Sequence, residues 1–583
     1  MRGDLALARF RSLQFVVLCR AFFTQLFASE SVAAETHLRH VIVGVLAFLV
    51  TPGMFLVVQL MPSYRVAVLR AATFGTPEIV DRLLTAMGSV FVMFSMITIG
   101  LVTAFIWDAL SFDRRDAMVL GPLPIRGAAV VAAKVAALGA FLLGASAGVS
   151  LMTAVPFALV TADRAGGPGP LGHLMAHLSA TIGSAVFVFA TIVSLRGLIA
   201  FLGPRAAAAA GSFLQFVFVS GLLSVIVLVP ALTPARMRLI EQQQMQWVPP
   251  AWFLGLYERQ LQLERAPFAH LADAVLPAVL IVVVVGAAVS VLGYRRQMRL
   301  ALVPSASTGA IGAASVSRWL ARALVGRNAV SAATADFILL TLARSRTQRA
   351  PIAMNAALGV AVIAAALSRY VVDLESLMRP RTVVLWVPLV LAYWAVIGLR
   401  ASFFVPSELP AAWVFRAITP EPATAPWSGT RAAMLGFVAP RMLLVVGLLI
   451  PLVGWQTAAW HAFYAGVLLL LLVEVLALTI THIPFTREYR PGHAKLRSRW
   501  PLYLFGMFAF AYWPVQLELR LLDAPVAMLA AIGSIAMAAL TVDLIGRRRA
   551  GRWPIAAPEE EDEDAPTVLF AHAELFNSPN RLV

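Results

Sequence analysis

The stretch Trp107-Asp-Ala-Leu-Ser-Phe-Asp-Arg-Arg-Asp-Ala-Met-Val-Leu-Gly-Pro-Leu-Pro-Ile-Arg126 forms a charged island between two long apolar segments. Its charges cluster from Asp113 to Asp116, and the next four residues follow at helical spacing. Gly121 followed by Pro122 is typical of a helix end. The pattern predicts a short amphipathic helix along a membrane face, where a partner could bind it. The alternative is an ordinary solvated loop helix.

The composition indicates a membrane protein. Of the 583 residues, 60% are hydrophobic and 13% are charged, and the mean hydropathy is +0.82. Soluble globular proteins carry about 25% charged residues, so a polytopic membrane protein is expected. The net charge of +16 lies in short clusters between apolar runs, which argues against a nucleic-acid groove. The single cysteine, Cys19, excludes an intramolecular disulfide and a thiolate metal cluster.

Apolar segments of about 20 residues, enough to cross about 30 Å of hydrocarbon, recur along the chain. The first half contains predicted spans at residues 41–61, 87–107, 135–160, 176–202, 207–231 and 271–293. The second half contains predicted spans at residues 350–370, 382–399, 432–453, 458–481, 501–517 and 524–546. The predicted fold class is an all-α polytopic integral membrane protein with about twelve transmembrane helices in two six-helix halves.

The segments outside the spans complete the predicted domain organisation. Arginines spread through residues 1–40 break the apolar run that a signal peptide needs, so Leu13 to Phe27 is expected to form a cytoplasmic interfacial helix. The similar layout of the halves indicates a parallel repeat, although helix-length statistics alone also produce such a likeness. The other predicted domains are two membrane halves (41–293 and 350–546), a flexible connector with a second interfacial helix (294–349), and a basic-then-acidic tail (547–583).

The distribution of Lys and Arg predicts the orientation in the membrane. With a cytoplasmic amino terminus, the inside segments hold 32 of these residues and the outside segments hold 12. Cytoplasmic loops carry the excess of positive charge in membrane proteins. Both termini are therefore expected in the cytoplasm, and the charged island lies there with them.

A phosphate-binding P-loop is missing from the sequence. That motif needs a lysine within Gly-x-x-x-x-Gly-Lys-Ser/Thr, and the two lysines, Lys134 and Lys495, both lie in other contexts. A His-Glu-x-x-His motif is also missing. We therefore predict a protein that is not an enzyme, has no cofactor or metal, and obtains any ATP-driven work from a partner.

Two further features are candidate sites. The predicted outside loop contains Gln246-Trp-Val-Pro-Pro-Ala-Trp-Phe-Leu-Gly-Leu-Tyr-Glu258, which reads either as a surface-lying or re-entrant helix or as an outer gate. The residues proposed for the gate are Trp247, Pro249, Pro250, Trp252 and Tyr257.

Glu474 lies within a predicted span, where a charged carboxylate costs about 3 kcal/mol or more unless it is paired, protonated or hydrated. It is either a translocation or coupling residue or a neutral acid bonded to a neighbouring helix.

The island, with Ala-Ala-Lys134 after it, and the segment from Pro249 to Glu258 resemble bacterial ABC-2 type transporter permeases. The likeness covers these motifs and the six-span plan of the first half. In that family a cytoplasmic helix precedes the first span, and the loop after the second span docks on a separate ATPase subunit. The resemblance implies an exporter subunit in the inner (cytoplasmic) membrane, contacting lipid and an ABC ATPase. A typical member has six spans, so twelve imply a fused pair of halves.

Carried over by position, the docking role falls to Ser111 through Pro124, with Arg400 to Arg431 as a second docking loop. Two other functions are left open: a secondary transporter that uses Glu474, and a membrane-embedded lipid-modifying enzyme. The residues proposed for the docking loop are Asp113, Arg114, Arg115, Asp116, Leu120, Gly121, Pro122, Leu123, Pro124 and Lys134.

Overall fold

The computed structural model describes residues 2–27, 38–76, 78–112, 114–161, 167–228, 247–263, 266–302, 310–367, 381–405, 407, 424–480, 482–486 and 500–551. Regular structure in these ranges is helical throughout. The first nine α-helices are α1 (Arg2–Phe27), α2 (Leu38–Phe74), α3 (Glu78–Phe105), α4 (Arg114–Leu120), α5 (Gly127–Thr161), α6 (Gly169–Ile199), α7 (Pro204–Leu228), α8 (Pro249–Leu261) and α9 (Val275–Leu302). A 3₁₀-helix, Ala269–Ala274, precedes α9.

The second part of the chain continues the helical pattern. Its α-helices are α10 (Ala310–Val325), α11 (Ala329–Arg344), α12 (Arg346–Leu367), α13 (Arg381–Ser402), α14 (Thr424–Leu448), α15 (Trp455–Ala477), α16 (Trp500–Met507), α17 (Trp513–Leu521) and α18 (Pro525–Ala550). A four-residue helical turn, Ile450–Val453, lies between α14 and α15.

Within the described ranges, 11 helices are long and apolar enough to cross a membrane. The prediction of an all-α, multi-pass membrane protein is therefore confirmed. The predicted span at 501–517 lies on α16 and α17, which the π-helix Phe508–Tyr512 separates. Pro514 has no amide hydrogen to donate to the preceding turn, so the helical hydrogen-bond ladder changes register there.

Two boundaries differ from the predicted ones. Helix α2 continues to Phe74, although residues 62–86 were expected to form an outside segment, because the exposed apolar side chains of Val66 and Leu69 continue the apolar surface past Pro62. Ala310 to Gly312, expected in a flexible connector, form the first turn of α10. The acidic tail beyond residue 551 lies outside the described residues.

The first compact unit comprises residues 1–308 and 353–383. Helix α6 packs against α3, α5, α8 and α9. At Gly197 of α6, an added Cβ would lie 2.3 Å from Val289 of α9, so a small residue is needed for this close approach. Helix α1 packs against α5 through buried Leu18, Phe22 and Leu26, which lie four residues apart. The expected helix at 13–27 is confirmed, and its position at a membrane surface remains a prediction.

The second compact unit comprises residues 309–352 and 384–583. Helix α14 packs against α10, α11 and α15, and α15 packs against α18. Added Cβ atoms at Gly429 and Gly436 would lie 2.4 and 2.5 Å from the backbone oxygens of Ser331 and Ser317, so glycine lets α11 and α10 approach α14 closely. The domain division from the sequence remains a prediction.

Candidate functional site

The charged island forms a short helix in the loop between α3 and α5. Helix α4 ends at Leu120, and the Gly121 amide donates to the Ala117 oxygen at 3.1 Å. A Cβ on Gly121 would lie 2.5 Å from that same oxygen, which explains why glycine ends the helix. The predicted helix and its end are confirmed. Asp113 and the side chains of Arg114 and Arg115 lie outside the described part of the structure.

Lys134 anchors this loop to α5 from the inside. Its ammonium Nζ donates to the Ser111 backbone oxygen at 2.8 Å and lies 3.2 Å from Oδ2 of Asp116. The Phe22 and Phe112 rings lie 5.0 and 4.8 Å from Nζ, close enough for cation–π attraction. Lys134 is only 4% exposed. A buried ammonium needs such partners, so the loop conformation and the start of α5 depend on each other.

Two more side chains tie the loop to neighbouring helices. Gln25 of α1 donates to Oδ1 of Asp116 at 3.2 Å, and Arg196 of α6 donates to the Ser111 hydroxyl at 2.7 Å. The Arg196 guanidinium also lies over the buried Trp107 ring, 5.7 Å from its centroid. Arg196 lies near the end of the predicted span at 176–202, where an arginine commonly extends to the membrane surface. The structure instead directs it to the docking loop.

The opposite side of the loop is apolar and exposed. Met118, Val119 and Leu123 are 57%, 56% and 46% exposed. Leu120 is half-buried, whereas Gly121, Pro122 and Pro124 are exposed. Exposed apolar side chains close together in a loop are the kind of surface that a partner protein can cover. The loop therefore has a buried polar side that faces its own unit and an apolar side that is free to contact a partner.

The proposed outer-gate residues divide into exposed and buried sets. Trp247 is 80% exposed, and Pro249 and Pro250 begin α8 as half-buried residues. The Trp252 ring packs edge-on against Phe187, with centroids 5.9 Å apart.

Tyr257 is 1% exposed and lies against Gly88 of α3, where a Cβ would come within 2.4 Å of the tyrosine ring. Helix α8 is thus largely packed into the first unit. Its role as a gate remains a prediction.

Glu258, which sequence reasoning did not select, is fully buried beside Tyr257. Its carboxylate accepts from the Thr85 hydroxyl at 2.9 Å and from the Phe268 amide at 2.8 Å. Burial disfavours the charged form and raises the pKa of Glu258 to about 7, although these two hydrogen bonds oppose the shift. The only feature of the sequence that could have indicated a buried carboxyl here is the position of Glu258, a single acid directly after the apolar residues of α8.

Glu474 is buried in the second unit, and its carboxylate is paired. The Arg431 guanidinium lies 3.3 Å from Oε1 of Glu474 and also contacts Asp543, which pairs with Arg547 at 2.9 Å. The second docking loop was expected to extend to Arg431, but Arg431 is already in the second turn of α14. Residues 406 and 408–423 of that loop are outside the described ranges.

A second buried acid in this unit was missed entirely. Glu518 directly follows the predicted span at 501–517, where the predicted orientation puts a short outside segment, yet both its side chain and that of His461 are fully buried. Nδ1 of His461 lies 3.0 and 2.9 Å from the two carboxylate oxygens. Nε2 of His461 has no hydrogen-bond partner among the described residues. No local pattern relates the two residues, because they are 57 positions apart.

Comparison with known proteins finds no relative of this chain. No protein family model, no curated protein and no solved structure matches the chain. Within the described residues, no three His, Cys, Asp or Glu side chains lie together in a way that could hold a metal ion. A membrane-embedded lipid-modifying enzyme would need paired acids near an outside face, and the one loose pair in the sequence, Asp373 and Glu375, falls outside the described ranges.

Proposed function

We propose that this chain is the membrane-spanning permease of an ABC-2 type exporter, driven by ATP that a separate cytoplasmic subunit hydrolyses. The observation that carries the proposal is the two-sided docking loop. Buried Lys134 holds its inner side to α5, and Met118, Val119 and Leu123 form an exposed apolar outer side. A hydrophobic or amphipathic substrate and a bacterial inner membrane, with both termini in the cytoplasm, belong to the same proposal.

The contacts of the loop could transmit a movement of α4 to the neighbouring helices. The loop connects α3 with α5, and both helices are long enough to span a membrane. Because Lys134 joins Asp116 to the second turn of α5, a displacement of α4 must move α5 or break a buried ion pair. Gln25 and Arg196 extend the linkage to α1 and α6. Packed helices switch between discrete arrangements, so a small shift at the loop can become a rigid-body motion.

The sequence supports the need for a partner that supplies energy. Neither lysine lies in a P-loop, so this chain lacks the lysine that would contact the β and γ phosphates. Under the proposal, α4 lies against an apolar groove of a P-loop ATPase, in the way that amphipathic helices enter grooves.

The test is co-purification followed by ATPase assay. The tagged chain is purified from its native membranes, bound proteins are identified by mass spectrometry, and ATP hydrolysis is measured. The single variants Met118→Asp and Val119→Asp should each lose the associated P-loop ATPase. The ATPase activity that co-purifies with each variant should fall at least tenfold. Because both side chains are exposed, the stability of the permease should change by less than about 0.5 kcal/mol.

Phe74→Asp is the matched control, since Phe74 is 72% exposed at the end of α2 and lies on the predicted outer side. It should leave the ATPase bound. If wild-type protein yields no P-loop ATPase, or if both α4 variants keep it, ATP-driven coupling through this loop is wrong.

A proton-coupled secondary transporter is the second candidate function. The buried His461–Glu518 pair favours it, because ionisable groups inside a membrane bundle commonly mark ion or proton sites. Glu474 is less suited to this role because Arg431 already engages its carboxylate. Uptake or efflux that follows an imposed proton gradient without ATP, and that Glu518→Gln abolishes, would support this candidate over the first.

A further inference from the structure

A row of buried polar side chains lies on α5 in the first unit. Ser146, Ser150 and Thr153 share one face of the helix because they are four and three residues apart. They are 1%, 1% and 2% exposed. Polar groups on a spanning helix normally face other protein groups or water, because lipid cannot satisfy their hydrogen bonds.

Helix α6 places a matching row opposite them. Oγ1 of Thr153 lies 2.8 Å from Nε2 of His177, and this contact sets the register of the two antiparallel helices. In that register, Thr181 and Ser184 lie at the levels of Ser150 and Ser146. All three α6 side chains, His177 included, are buried. We call the six residues on these two faces the α5–α6 seam.

Most hydroxyls of the seam are satisfied locally. Thr153, Thr181 and Ser184 donate to backbone oxygens of the preceding turn at 3.0, 2.8 and 2.9 Å. This is the usual arrangement for Ser and Thr in membrane helices. Ser146 and Ser150 differ, because their hydroxyls have no hydrogen-bond partner in the part of the chain that the structure describes.

The imidazole of His177 is also incompletely bonded. If Nε2 carries the hydrogen, it donates to Thr153, and Nδ1 is left as an acceptor. If Nδ1 carries the hydrogen, the Thr153 hydroxyl donates to Nε2 in place of the Ser150 oxygen, and Nδ1 is left as a donor. In either tautomer Nδ1, which is fully buried, has no partner among the described residues.

Three unsatisfied polar atoms on two facing helices are costly in a dry apolar bundle. A buried polar group without a hydrogen bond costs about 1–3 kcal/mol, and buried waters commonly satisfy such groups. We propose that the α5–α6 seam is a hydrated binding site that receives uncharged polar groups, hydroxyl or amide, of the transported molecule. This proposal rests on the proposed transport function and adds a substrate class to it.

The chemistry of the seam fits that class. It offers hydroxyls, which donate and accept, and an imidazole, without a carboxylate, ammonium or guanidinium group among its six side chains. An amphipathic molecule with hydroxyl or amide groups could exchange its bonds with water for bonds to Ser146, Ser150 and His177.

The sole cysteine of the chain makes a clean test possible. In a Cys19→Ser background, single cysteines are introduced as Ser146→Cys, Ser150→Cys and Val149→Cys in the full-length protein. Val149 is 1% exposed and precedes Ser150 on the same helix, so it is a control for depth with an apolar environment. Labelling by 2-aminoethyl methanethiosulfonate is followed in native membranes by mass shift. Thiolates attack this reagent and displace methanesulfinate to form a mixed disulfide, and a thiolate forms where water reaches the thiol.

We expect the two seam cysteines to react at least tenfold faster than the cysteine at position 149. Equal, slow rates at all three positions would overturn the hydrated seam, even if an ATPase co-purifies and the proposed permease function is retained. Fast labelling at both seam positions without a co-purifying ATPase would support the seam and locate the failure in ATP coupling. Gel filtration of each variant confirms that the comparison is made on folded protein.

Discussion

The two compact units use the same helix positions for buried charges but pair them differently. Lys134 and Arg431 are each the eighth residue of their helices, α5 and α14. In the next spanning helix, Arg196 of α6 and Glu474 of α15 each lie three residues before the helix end. In the first unit both positions are cationic, whereas in the second they have opposite charges.

This difference in charge determines which groups the buried side chains of each unit contact. Arg431 and Glu474 contact each other directly, and Asp543 of α18 completes the group. Lys134 and Arg196 repel, so each needs an acceptor from elsewhere, and both bond to Ser111 of the docking loop. The first unit therefore holds a loop with its charges, and the second holds its own helices together. Under the proposed function, the first unit is the one coupled to the ATPase. We call the group of Arg431, Glu474 and Asp543 in the second unit the brace.

The largest expected effect is at the brace. Arg431→Met leaves the carboxylates of Glu474 and Asp543 buried without this partner, and we expect a loss of about 3–5 kcal/mol in unfolding free energy. Thermal unfolding of the detergent-solubilised protein measures it. The double variant Arg431→Met with Glu474→Gln should recover part of the loss, because one uncompensated charge is removed. A single variant as stable as wild type would break the comparison.

Compared with Arg431→Met, Lys134→Met should lower the unfolding free energy less. Under the proposed function, it should lower the ATPase activity more. Asp116 keeps its hydrogen bond from Gln25, so we expect a loss of about 2–3 kcal/mol. The same variant should lower permease-associated ATPase activity, because α4 is no longer joined to α5. Arg431→Met should not lower ATPase activity per folded molecule. Equal uncoupling by both variants would contradict the division of roles.

A glycine packed against an aromatic ring occurs near both charge clusters. A Cβ on Gly546 of α18 would lie 2.5 Å from the Trp427 ring, and a Cβ on Gly127 of α5 would lie 2.8 Å from the Tyr294 ring. Gly546→Ala should cost about 1–3 kcal/mol through overpacking, since Trp427 is only 2% exposed.

Gly127→Ala should cost less than Gly546→Ala, because Tyr294 is half-buried and can move. Gly139→Ala is the control, because nothing lies within 4 Å of an added Cβ there. Thermal unfolding of the three variants tests this order of stability losses. A larger loss for Gly127→Ala than for Gly546→Ala would mean that the second unit is not the more tightly packed of the two.

A further expected effect is a pH dependence in the first unit. Glu258 has uncharged hydrogen-bond partners, and its pKa is about 7, above its ordinary value of 4.5. Between these values the folded protein holds a proton that the unfolded chain releases. Unfolding free energy should therefore fall as pH rises from about 5 to 7, by at most about 1.4 kcal/mol per pH unit.

Glu258→Gln should remove this contribution, measured as the difference between the two melting profiles over that pH range. Identical profiles for wild type and Glu258→Gln would mean that the buried carboxyl does not titrate in this window.

The sequence alone determined the all-α, multi-pass architecture and the short helix that ends at Gly121. These features depend on local properties, because apolar length decides which segments can span a membrane and glycine ends a helix by its own backbone. The sequence also brought Lys134 and Glu474 to attention, as a charge near a span end and a charge within a span. It could not say what either contacts.

Only the tertiary structure decided which side chains the buried charged groups contact. Gln25 is 91 positions from Asp116, and Arg431 is 112 positions from Asp543, so no local pattern relates them. Glu258, Glu518 and the α5–α6 seam were missed for the same reason. Hydropathy is a property of each segment, whereas the fate of a buried polar group depends on which helices pack around it, and that is fixed by side-chain shape across the whole bundle.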